Sequence, residues 1–104
     1  MTDQLALHRS LPAGFTPEGA LASLADANVT QLTAPASLDP DRLRTLLIER
    51  MKAGAWTDTY IGSEAITLDR AVAEIEQNSD LGQRLLSIHR RALEMLFEDE
   101  KGRM

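Results

Sequence analysis

The stretch 80–100 constrains this chain more than any other. Read at about 100° per residue, Leu81, Leu85, Leu86, Ile88, Ala92, Leu93, Met95, Leu96 and Phe97 cover about 200° of a helix circumference. Gln83, Arg84, Ser87, Arg90, Arg91, Glu94 and Glu98 hold the other side. A helix resting on one core carries an apolar stripe a little over ~100° wide. The excess predicts two packing partners, one of them on another chain. Short helices folded around Leu81, Leu85, Ile88 and Ala92 would cover one edge of the arc. That leaves Leu86, Leu93 and Phe97, together with Leu96, as the predicted seam of a two-fold homodimer, with Arg90 near its rim.

The rest of the chain has to supply the first partner. Asp39-Pro40-Asp41 is a helix start: Asp39 caps, Pro40 fits the first turn, and Asp41 complements the positive end of the helix. Leu43, Leu46, Leu47 and Met51 follow at helical spacing and Gly54 stops the run, which predicts a helix over 40–53. Thr67 caps a further helix with Leu68, Ala71, Val72 and Ile75 on one face. Asn78 or Ser79 caps the long last one. Between them the period changes. Thr57, Thr59 and Ile61 alternate with Asp58 and Tyr60, which predicts a short hairpin within 57–66, or else an ordered loop that plugs Trp56 and Tyr60 into the core.

Nearer the start the patterning thins. Thr16-Pro17-Glu18 reads as a helix start, with Leu21, Leu24 and Ala25 as a narrow stripe and Asn28 as its stop. The segment 29–36 reads as linker or short strand, and 1–15 as a flexible arm dispensable for folding. The expected fold is therefore mainly α: a small helical domain of three to four helices over 16–104, with a short hairpin near 57–66. The expected core is Leu43, Leu46, Leu47, Met51, Leu68, Val72, Ile75, Leu81, Leu85, Ile88 and Leu96.

Composition limits function. Sixteen acidic residues face eleven basic ones, for a formal charge of −5. Binding to nucleic acid or to an anionic membrane needs clustered Lys and Arg, so both are disfavoured. The sequence has no cysteine, which removes thiolate nucleophiles and cysteine-based metal sites and fits a cytoplasmic protein. No stretch approaches the ~20 apolar residues of a membrane span, and 1–15 lacks the pattern of a signal peptide.

Chemistry-bearing motifs are absent. Neither His8 nor His89 has a second histidine three or four residues away, Glu74, Glu76 and Asp80 fall on different helical faces, and Asp39-Pro40-Asp41 lacks the glycine and distal glutamate of a calcium loop. No metal or cofactor is expected. There is no nucleophile elbow and no glycine-rich phosphate loop. His89 falls inside the apolar arc and is expected to be a half-buried histidine bonded to a backbone carbonyl or to Tyr60, with no catalytic residue assigned. The expected function is thus that of a small non-enzymatic interaction or regulatory protein of bacterial type, associating through its last helix as a homodimer or with a protein partner. Two alternatives remain. Glu94, Glu98, Asp99 and Glu100 suit an acidic inhibitor of a basic partner, antitoxin- or immunity-like. Arg42, Arg44, Arg50, Arg84, Arg90 and Arg91 suit, less well, a DNA-binding regulator.

Overall fold

A computed structural model describes residues 10–56 and 59–102, the side chains of Thr59 and Ile61 excepted. The domain is mainly helical. In chain order it contains strands β1 (Pro12–Phe15) and β2 (Leu21–Ser23), two 3-10 turns (Val29–Gln31 and Pro35–Ser37) and helix α1 (Pro40–Arg50). A π-helical turn (Met51–Ala55), strands β3 (Thr59–Ile61) and β4 (Glu64–Ile66), and helices α2 (Leu68–Glu76) and α3 (Asp80–Gly102) follow. The strands form two separate antiparallel hairpins.

Short-range capping fixes the helix starts. The Asp39 carboxylate accepts from the Arg42 N–H at 2.8 Å, and the Thr67 hydroxyl accepts from the Arg70 N–H at 3.2 Å. Asn78 takes a left-handed conformation at φ 55°, and the Ser79 hydroxyl accepts from the Gly82 N–H at 3.0 Å, so the chain turns and α3 begins. Gly54, at φ 144° within the π-helical turn, ends the run that α1 starts.

The one predicted strand pair is present as the second hairpin, with Tyr60 opposite Ala65 and Ile61 opposite Glu64. Tyr60 lies exposed on it rather than in the core, while Trp56 is half-buried against the neighbouring apolar cluster. Thr57 and Asp58 lie outside the described residues.

The N-terminal third departs from the sequence reading. Thr16-Pro17-Glu18 opens a hairpin turn, not a helix. The Thr16 carbonyl accepts from the Gly19 N–H at 2.8 Å, the Thr16 N–H donates to the Ala20 carbonyl at 2.8 Å, and Gly19 sits at φ 87°. Proline followed two residues later by a left-handed glycine is turn chemistry, and the capping threonine serves the turn equally well. Leu21 and Ala25 do not form a buried stripe but are exposed, and Asn28 starts a 3-10 turn instead of stopping a helix. The segment 29–36 holds 3-10 structure. The boundary after Phe15 also fails: Leu11, Ala13 and Phe15 are buried, so 11–15 belongs to the domain. Residues 1–9 lie outside the described residues.

The core has two apolar clusters. The first packs Ala13, Phe15, Leu24, Val29 and Leu32 on Leu43, Leu46, Leu47, Leu93 and Phe97. The second packs Ile66, Ala71, Val72 and Ile75 on Ile48, Met51 and Leu85. Helices α1 and α3 run through both. Of the expected core, Leu68, Leu81 and Leu96 are only half-buried, and Ile88 is exposed.

Candidate functional site

The arc of α3 is indeed wider than one core needs, but the uncovered edge is the opposite one. Leu93 is 1% exposed and Phe97 2%, both inside the first cluster. Leu86 and Leu96 are half-buried and pack against that cluster as well. Leu93 and Phe97 therefore cannot form a seam without opening the core. The reason lies in the N-terminal third: β1, β2 and the turn after them supply the cover, where a flexible arm and a thin helix would have supplied little. Arg90, the expected rim residue, pairs with Glu94 along the same helix, Nε to Oε1 3.2 Å.

What remains outside is a line of three apolar residues. Ile88 is 64% exposed, Met95 is 65% exposed, and Ala92 between them is exposed. At about 100° per residue they fall within about 60° of one another, one above the other along the helix. Isolated surface hydrophobics are ordinary; aligned ones on a helix face are the pattern of a contact surface.

One side of this line drops into a cleft of about 400 Å³, with Arg50, Ala55, His89 and Leu96 on its walls and Asp99 at one end. Met95 is the ridge between it and a second groove of about 720 Å³, where Pro35 and Phe97 meet the charged residues Arg91, Glu94 and Glu98. The His89 ring stacks on Trp56, with centroids 5.8 Å apart and planes at 24°. Burial holds its imidazole pKa below the usual value, and the positive charge of Arg50 pushes the same way. His89 is half-buried as expected, but its ring partner is Trp56, not Tyr60, which is 69% exposed.

The DNA-binding alternative counts Arg50 among the arginines open to a partner, and the structure buries it. Its Nη1 donates to the Pro12 carbonyl at 3.0 Å, which ties the end of α1 to β1. Burial lowers its pKa, yet a guanidinium stays charged. The signal was present: Arg50 stands seven residues after Leu43 and three after Leu47, on the apolar stripe of α1. Several of the other described arginines lie against acidic side chains. Arg42 lies over the Phe15 ring at 5.8 Å and near Asp39, Arg44 pairs with Asp41 at 3.2 Å, and Arg70 pairs with Glu64.

The cleft thus offers one imidazole that favours its neutral form, one buried guanidinium and one carboxylate among aliphatic walls. Among the described residues, no hydroxyl or thiol nucleophile lines it, and no second carboxylate. No group of three His, Cys, Asp or Glu side chains suited to a metal occurs among the described residues. No described helix is long and apolar enough to cross a membrane. No protein-family model, curated protein or solved structure matches the chain.

Proposed function

We propose that this chain is a small, non-enzymatic cytoplasmic interaction protein that associates through the outer face of its last helix, as a homodimer. The observation that carries the reading is the exposure of Ile88 and Met95 on one line of α3, with only Ala92 between them. A helix whose inner arc already joins two core clusters gains no fold stability from these side chains. They are placed to lose water only against another surface. The acidic-inhibitor alternative has less support, because the carboxylates of the second groove share it with Arg91 and Lys101. A DNA-binding role has less still, since Arg42, Arg44, Arg70 and Arg90 each lie against an acidic side chain.

Light scattering tests the proposal. The wild type at micromolar concentration is expected to show twice the 11.4 kDa chain mass. Ile88→Glu combined with Met95→Glu is expected to yield a single chain with unchanged helical circular dichroism, because both side chains already face water. A wild type of one chain mass overturns the dimer, and a double variant that remains a dimer overturns the face.

A further inference from the structure

The charges beside the apolar line show how two copies would meet. Arg84, Arg91 and Glu98 follow one another at intervals of seven residues, so they form a row along one edge of the Ile88–Ala92–Met95 line. All three are exposed. Among the described residues, neither Arg84 nor Glu98 enters an ion pair. They stand about 21 Å apart along the helix, with the apolar line between them. Arg84 thus stands toward one end of the contact face and Glu98 toward the other.

Such a face complements itself in one orientation only. We propose that α3 pairs with α3 of a second copy antiparallel, about a two-fold axis close to Arg91 and Ala92. This rests on the association reading above and gives it a partner and a direction. In this arrangement Ile88 of each copy lies against Met95 of the other. Arg84 of each copy lies over Glu98 of the other, so the ionic contact is made twice. Ala92 falls beside the axis, where the smallest side chain lets two helices approach most closely, since the separation of packed helices follows the side chains at the crossing. Arg91, also near the axis, is followed one turn later by Glu94, whose charge opposes its own. A parallel pairing about an axis along the helices carries the row of each copy to the opposite edge of the contact, with Arg84 level with Arg84 and Glu98 level with Glu98, so neither meets an opposite charge.

Because the chain has no cysteine, disulfide trapping reads the orientation directly. Arg84→Cys and Glu98→Cys variants are mixed in equal amounts, oxidised, and weighed by mass spectrometry. The expected product joins one variant to the other, with little disulfide in either variant alone. A dimer in which each variant cross-links only to a second copy of itself overturns the antiparallel arrangement while the association itself stands. A wild type that weighs one chain mass overturns the association beneath it. Charge reversal adds a second readout. Arg84→Glu is expected to raise the dimer dissociation constant about tenfold at low salt, and Arg84→Glu with Glu98→Arg to restore it to within about threefold. An unchanged constant in the single variant overturns the proposed ionic register.

Discussion

The two core clusters are each closed by a hairpin, and the two hairpins do different work. β1 and β2 lay Ala13 and Phe15 on the first cluster, with Leu24 just past the strand end. Phe15 also carries Arg42 against the outer side of its ring, and the Pro12 carbonyl holds the buried Arg50. Among the described side chains of β3 and β4, Ile66 is buried in the second cluster, while Tyr60, Glu64 and Ala65 face water. The alternation of residues around Tyr60 makes the second hairpin the more legible in sequence, yet among the described side chains it buries fewer. Alternation reports that a strand has two unlike faces. How much of the inner face is covered depends on what lies opposite, and no local pattern carries that.

Truncation should expose this contrast most strongly. Phe15→Ala is expected to cost about 3–5 kcal/mol, the usual loss for a buried phenylalanine, read as a fall in the urea midpoint at constant slope. Tyr60→Ala, at an exposed site, should stay within about 0.5 kcal/mol. Equal losses at the two sites would erase the distinction between the hairpins.

A smaller effect probes the joint of the second cluster. Gly82 near the start of α3 is buried, and a β-carbon there would stand 2.1 Å from the Glu74 carbonyl oxygen of α2. That backbone cannot swing aside as a flexible side chain can. Gly82→Ala is therefore expected to cost about 1–3 kcal/mol, although alanine is the better helix former by about 1 kcal/mol. Thermal unfolding decides the sign: a variant more stable than the wild type would mean that α2 and α3 pack less tightly than described.

The smallest expected effect concerns His89, near the junction of the two clusters. Its imidazole resists protonation in the folded state, by burial first and by Arg50 second. The unfolded chain takes up a proton near the ordinary value of 6.5. The contribution of neutral His89 is thus full above that pH and is lost as pH falls from there toward the lowered folded-state pKa. Urea midpoints at pH 7.5 and 5.5 should fall further apart in the wild type than in His89→Gln. An identical pH dependence would show that the imidazole is as free to protonate as in the unfolded chain.

Helix starts were readable because their determinants are neighbours. Asp39, Thr67 and Ser79 each cap an N–H three residues away, and no distant contact is needed to fix such a bond. The same locality misled at Thr16, where a threonine, a proline and an acid suit a helix start as well as a turn. Gly19, left-handed three residues later, was the deciding residue. At the candidate site the excess width of the α3 arc was legible, but its free edge was not.

By itself, then, the sequence determined the capped helices, the short hairpin after Trp56 and the presence of more apolar surface on α3 than one core absorbs. Periodicity and capping act within about one or two turns, so they survive without knowledge of the fold. Only the tertiary structure decided that Leu93 and Phe97 turn inward while Ile88 and Met95 turn outward. Both edges of the arc are equally apolar, and the choice between them is made by Ala13, Phe15 and Leu32, some sixty to eighty residues earlier in the chain. A contact over that separation leaves no periodic trace in either segment, because what selects one edge is the shape and cover of the surface that arrives opposite it.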